Sequence, residues 1–323
     1  MTIARDVSQP DPYSVRAVVS ASGSIIYPKS GGVVPRRLML VSRSGQATPL
    51  AAEPKAYASP RYDPAGRRVA LYITDPVTGS RDVWVLDLAG HVWSRLTTNG
   101  ISDKPICTPD GRRVVYSSND DLWWVPADGS ARPESLLVSV GSHYAGSVTP
   151  DGRTVVFQEL GSFSSGIRTI AFDSAPASRT IIPEAFNESA PVLSPDGHWL
   201  AYQSDQTGRM EVYVQAYPVP GGRVPVSLQG GAEPAWAHNG RELFYRAGDS
   251  LMAASVTLSP TFAVTGRRGL FGGTFLGGGN FREYDVAPDD QHFVMVTGGA
   301  AQSTLFGMQN VFQRLVFDRD RQR

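Results

Sequence analysis

Short apolar runs alternate along this chain with polar punctuation rich in Gly, Pro, Asp and Ser, and before residue 305 no segment sustains a helical apolar spacing. Such runs read as strands rather than helices. Val69-Ala70-Leu71-Tyr72 is apolar at every position, as in a strand buried on both faces. The punctuation is not random. Thr108-Pro109-Asp110-Gly111 precedes Arg113-Val114-Val115-Tyr116; Thr149-Pro150-Asp151-Gly152 precedes Thr154-Val155-Val156-Phe157; Ser194-Pro195-Asp196-Gly197 precedes Trp199-Leu200-Ala201-Tyr202. Pro presets the first corner of a tight turn, Asp bonds its own backbone, and Gly supplies positive φ, so each phrase predicts a hairpin with a strand on either side.

Weaker copies are Ala21-Ser22-Gly23, Asp63-Pro64-Ala65-Gly66, Ala237-His238-Asn239-Gly240 and Ala287-Pro288-Asp289-Asp290. The fourth residue of each phrase, or the glycine of the first, gives markers at 23, 66, 111, 152, 197, 240 and 290, with intervals of 43, 45, 41, 45, 43 and 50. That period is one four-stranded propeller blade. Four residues before the markers stand Val19, Tyr62, Cys107, Val148, Leu193, Trp236 and Val286, all apolar, as an inner strand packed between blades requires. The expected fold is therefore all-β: one propeller of seven four-stranded blades, with six or eight as alternatives. Approximate blades are 14–50, 57–97, 102–137, 143–182, 187–228, 232–273 and 281–317. Third strands are expected at Leu38–Val41, Val83–Leu86, Leu122–Val125, Val212–Val214 and Met252–Val256, with edge strands at Ser94–Thr97 and Val224–Ser227. In the last unit the third strand is expected at Val311–Val316, and ring closure by pairing of Thr2–Val7 with that blade.

The Pro-Asp-Gly phrase with its following β-run resembles the repeats of TolB-type, WD40-like propellers. Phe186-Asn187-Glu188, Glu211-Val212-Tyr213-Val214-Gln215, Gly230-Gly231-Ala232-Glu233-Pro234 and Gly240-Arg241-Glu242-Leu243-Phe244-Tyr245 are similar to the propeller attached C-terminally to many bacterial serine/threonine protein kinases. The resemblance covers nearly the whole chain. It implies the fold strongly and a binding or sensing role less directly, because one fold hosts many functions.

Composition narrows the classes. Lys+Arg and Asp+Glu are each 30, so the net charge is zero, and no basic stripe of a nucleic-acid binder is present. Cys107 is the only cysteine, which excludes a disulfide framework or thiolate cluster. Met1–Tyr13 is polar without an apolar signal-peptide core, and no run is long enough to span a membrane. A cytoplasmic monomer is expected from the chain as it stands, and a periplasmic or extracytoplasmic one if it is a fragment of a membrane-anchored kinase.

No kinase loop, Walker loop or nucleophile elbow occurs, and the Gly272–Gly279 cluster has no following helix to hold a phosphate. His91, His143, His198, His238 and His292 form no ligand pair, and Asp75, Asp82, Asp120, Asp121 and Asp205 lack calcium-loop spacing. No catalytic residue, metal or cofactor is expected. The tryptophans read as packing between blades, with Trp93 the exception. Counting seven to nine residues back from the markers gives the residues expected around the channel mouth: Tyr57, Ser59, Asp103, Lys104, His143, Tyr144, Glu188, Glu233, Arg282 and Glu283. Their mixed charges and aromatics suit a protein or peptide partner, or a small polar ligand. The rival expectations are an enzyme, hydrolase or lyase, working at that mouth, and a TolB-like envelope scaffold.

Overall fold

The computed structural model describes residues 34–161, 164–173, 177–183, 185–219, 221–277 and 279–298, with the backbone of the strands Val18–Val19, Ile25–Lys29 and Thr304–Met308. The chain divides into two compact units, 35–299 and a second made of 1–34 with 300–323. In the second unit Ile25–Lys29 pairs with both Val18–Val19 and Thr304–Met308 in a three-stranded sheet.

The unit 35–299 is a propeller of six four-stranded antiparallel sheets. Five blades are contiguous in sequence, at 56–95, 102–137, 142–182, 189–225 and 232–272, and are numbered 1 to 5 here. Blade 6 takes its inner strands from Tyr284–Val286 and His292–Val296 and its outer strands from Leu38–Ser42 and Ala47–Pro49. The expectation of seven blades is thereby corrected to six. Leu38–Val41 is a third strand, as its composition predicts, but Leu40 pairs with Val294, so the outer strands of the first repeat unit complete the sheet of the last, while Ile25–Lys29 of that first unit pairs with Val18–Val19 and Thr304–Met308. The marker Gly23 and the strands expected at Thr2–Val7 and Val311–Val316 lie outside the described residues.

Apolar residues on both faces of the inner strands need cover on both sides, and adjacent blades supply it. Six core clusters result, one at each junction between consecutive blades, the sixth blade packing back on the first. Phe157, Tyr202, Phe244 and Phe293 are fully buried there, and each such side chain stabilises the fold by roughly 1.5–3 kcal/mol.

Each blade is a meander, so its loops fall on two faces. The marker hairpins and third-to-fourth-strand turns lie on the hairpin face; the second-to-third-strand loops and the links between blades lie on the opposite, connection face. The hairpins share one construction. The Thr108 hydroxyl donates to Asp110 Oδ1 at 2.5 Å, which also accepts the Arg112 amide at 3.0 Å, while Arg113 N–H donates to Thr108 Oγ1 at 3.0 Å. Thr149 and Asp151 repeat this at the same distances.

The innermost strand slips register against the second in five blades. In four of these a residue in the left-handed region precedes a proline: Ser59 (φ 49), Lys104 (φ 51), Ala190 (φ 50) and Glu233 (φ 58), before Pro60, Pro105, Pro191 and Pro234. All four stand seven residues before their marker. The bulge bends the strand and re-aims its side chains, which is how such irregularities are used beside sites.

Candidate functional site

Residues from every blade line one small cavity in the channel: Arg61 of blade 1, Lys104 of blade 2, Tyr144 and Gln158 of blade 3, Pro191 of blade 4, Pro234 of blade 5, and Phe281 with Arg282 at the start of blade 6. The segment that brings in Phe281 is the link from blade 5 to blade 6. It accounts for the long last interval, and it reaches across the ring. The Gly279 carbonyl accepts from Gln203 Nε2 of blade 4 at 3.1 Å, and the Phe281 ring lies 4.4 Å from Lys104 Nζ and 4.6 Å, edge to face, from Tyr144. At Gly277 on this path a Cβ would stand 2.7 Å from Glu233 Oε1, so a larger residue would have to displace that carboxylate.

Behind the cavity wall a chain of side chains satisfies the bulged backbone. Glu283 accepts from Ser59 N–H at 2.6 Å, from the Ser59 hydroxyl at 3.1 Å and from Lys104 Nζ at 3.1 Å. Glu283 N–H donates to Glu233 Oε2 at 2.8 Å, and Glu233 N–H donates to Gln203 Oε1 at 2.7 Å. Ala190 N–H donates to Gln158 Oε1 at 3.4 Å. Blades 3, 4 and 6 thus each lend a side chain to the bulge of the next blade, and blade 5 lends Glu233 to the Glu283 amide. Burial opposes the charge on Lys104, but Glu283, Tyr72 and Asp103 reverse the effect and raise its pKa. Burial lowers the Arg61 guanidinium to about 10, with Arg282 adding to the effect, which leaves it protonated at neutral pH.

Of the residues the sequence points to, Lys104, Tyr144 and Arg282 line the cavity, and Glu233 and Glu283 support its wall. Ser59 donates to Glu283 in that wall, and the others lie elsewhere. Tyr57 is buried, stacks on Trp93 at 5.6 Å, and lines a separate cleft of about 510 Å³ with Lys55 and His91. His143 is fully buried, donates from Nδ1 to the Asp120 carbonyl at 2.8 Å and packs edge-on against Phe157. Glu188 is buried and accepts from Ser204 Oγ and Phe186 N–H, both at 3.2 Å. Burial raises its pKa. Asp103 pairs with Arg81 at 2.5 Å and does not line the cavity; burial raises its pKa against the pull of Arg81.

Sequence reading misses Arg61, Gln158 and Phe281. The signal for two of them is the marker itself, since Arg61 stands five residues before one and Gln158 six after another. Among the described residues no group of three or more His, Cys, Asp or Glu side chains could hold a metal ion, and no helix is long and apolar enough to cross a membrane.

No family model matches the chain. It is 28% identical over 155 residues to the Tol-Pal system protein TolB of Francisella tularensis, a match covering 46% of this chain and 36% of that relative's length. A putative TolB from Agrobacterium tumefaciens superposes with a TM-score of 0.63 over 81% of this chain and 98% of that one, at 16% identity. A puromycin-hydrolyzing peptidase of Mycobacterium tuberculosis shares the fold at a TM-score of 0.56 and 19% identity, over 78% of this chain and 45% of that one. The chain is a six-bladed β-propeller of TolB-like architecture.

Proposed function

We propose that this propeller is a non-catalytic binding module that docks a protein or peptide on its connection face, over the channel mouth. The observation that carries this is the distribution of exposed apolar side chains. Eight large hydrophobic residues are exposed among the described residues: Val77, Val92, Ile101, Val138, Val140, Phe186, Val219 and Leu228. All but Val92 and Val219 stand in loops of the connection face, and Ile101, Val140, Phe186 and Leu228 each come from a different link between blades. Six exposed apolar side chains drawn to one face by different loops offer a partner several apolar anchors, and apolar anchors within a polar rim are how interaction sites are built.

The name of the relative, a component of a Tol-Pal system, supports a protein partner. On this reading the chain serves as a scaffold of that kind or as the sensory half of a signalling kinase. The experiment is a peptide-display selection against the protein, with a Val140→Asp/Phe186→Asp double variant as the comparison. Selected peptides are expected to bind the variant more weakly by about tenfold or more, since apolar anchors dominate such contacts. Peptides that bind both proteins equally would place recognition elsewhere and overturn the reading.

A further inference from the structure

We infer that the channel cavity is a carboxylate site, built to take the head of one carboxylate from the connection face. Among the described residues eight buried side-chain polar atoms lack a partner, and three of them belong to residues lining this one cavity: Arg61 Nε, Gln158 Nε2 and Arg282 Nε. Buried donors are nearly always satisfied, so a group of orphans at one cavity calls for an acceptor. Gln158 is 1% exposed and Arg61 8%, so neither reaches open solvent.

The lining of the cavity is cationic and free of carboxylates. Arg61, Lys104 and Arg282 line it with Tyr144 and Gln158, while Lys104 is also bonded to Glu283 and Arg282 to Asp285. The nearby carboxylates are engaged: Glu283 by Ser59 and Lys104, Glu233 by the Glu283 amide, and Asp285 by the Tyr62 amide at 2.9 Å and Arg282 at 3.2 Å. Size restricts the occupant. The space is about 20 Å³, room for roughly one or two waters, and so for the oxygens of a carboxylate but not for the body of a side chain. Guanidinium and amide donors match the two oxygens of a carboxylate better than a spherical ion.

Formate is the probe, titrated into isotope-labelled protein at constant ionic strength with a bulky sulfonate as balancing anion, while the amides of Ala145, Gly146 and Ala190 are followed by NMR. Saturable shifts are expected in the wild type, and affinity weaker by about tenfold or more in Gln158→Glu, because a hydrogen bond to a charged group is among the stronger ones. That variant keeps an oxygen for the Ala190 amide and replaces the orphan donor by a second carboxylate oxygen. Tyr144→Phe, which removes only a hydroxyl, serves if Gln158→Glu does not fold, with a several-fold loss expected. No saturable shift, equal affinity in the variant that folds, or chloride binding tighter than formate would overturn the assignment.

The source of the carboxylate rests on the docking reading above. Connection-face peptides whose affinity falls both on Glu→Gln exchange in the peptide and on Gln158→Glu in the protein would identify a partner's side chain. Peptides indifferent to both, with formate still bound, would identify a free small carboxylate. Failure of the peptide selection leaves the formate titration to decide the cavity by itself.

Discussion

At Gly146 the chain departs from its own repeat for a steric reason. The corresponding position, six residues before the marker, is Pro60, Pro105, Pro191 and Pro234 in four other blades. A Cβ on residue 146 would stand 2.2 Å from the Pro191 carbonyl oxygen and 2.6 Å from its Cγ, so blade 3 can approach blade 4 only with glycine there. Gly146→Ala is expected to destabilise the protein by about 2–3 kcal/mol, as overpacking against backbone does. In a domain of this size that lowers the thermal midpoint by about 4–5 °C. At Ala190 (φ 50) the reverse substitution relieves about 1–2 kcal/mol of left-handed strain and gives back about 0.4–1 kcal/mol by loosening the unfolded chain. Ala190→Gly should therefore stabilise the protein, by about 1 kcal/mol. Chemical denaturation of the two variants side by side checks both values. The same spacing explains which site residues were legible. Positions seven back sit on the bulge around the channel, whereas Tyr57, His143 and Glu188, all nine back, are buried away from the cavity. A plain count of alternating positions does not register a slip in the strand.

The hairpins are the elements the sequence shows best, because their chemistry is local: hydroxyl, carboxylate and glycine all act within one turn. The Thr108 hydroxyl, joined by the Arg112 amide, holds the Asp110 carboxyl below the usual carboxylate range, and Thr149 with the Arg153 amide does the same for Asp151. A carboxylate whose folded pKa is depressed contributes stability that is complete above its unfolded value, near 3.9, and is lost as pH falls through the folded value. Thermal midpoints of the wild type should fall between about pH 4 and pH 2. An Asp110→Asn/Asp151→Asn variant, less stable at pH 7, should fall less over that interval. Both carboxylates are exposed, so solvent screening keeps the difference small. Parallel pH curves would show that these turns carry no charge-linked stability. The outer strands offer no comparable signal. Ala47–Pro49 is exposed throughout and has neither hairpin phrase nor apolar run to mark it. The long link of residues 273–283 reads as a glycine-rich loop, and nothing local in it tells that Phe281 meets residues of blades 2 and 3 across the ring.

At the scale of the whole molecule the repeat locates every hairpin of the propeller and still miscounts the blades. The marker fixes only the first two strands of a blade. A chain that enters the ring at a third strand yields one partial unit at each end, and only pairing in three dimensions shows that Leu38–Ser42 completes the sheet begun at Tyr284. That seam has a mechanical consequence. Leu38 and Val41 are fully buried, and through their strand the two ends of the propeller unit are held by backbone hydrogen bonds as well as by packing. Without the two outer strands His292–Val296 becomes an open edge, a template for association with other chains. The closed ring also couples all six core clusters, so losing one junction removes support from its neighbours. A chain starting at Pro35 retains all six sheets and should unfold in a single cooperative transition. One starting at Ala52 lacks Leu38–Ser42 and Ala47–Pro49, and it should lose that transition or aggregate, with a synthetic peptide of residues 35–51 restoring the melt when added in excess. Deleting residues 1–10 alone tests closure through Thr2–Val7, and an unchanged midpoint would leave the seam to Leu38–Ser42. Scanning calorimetry with light scattering separates these outcomes: if the chain from Ala52 melts as the chain from Pro35 does, the ring is not held shut by this blade.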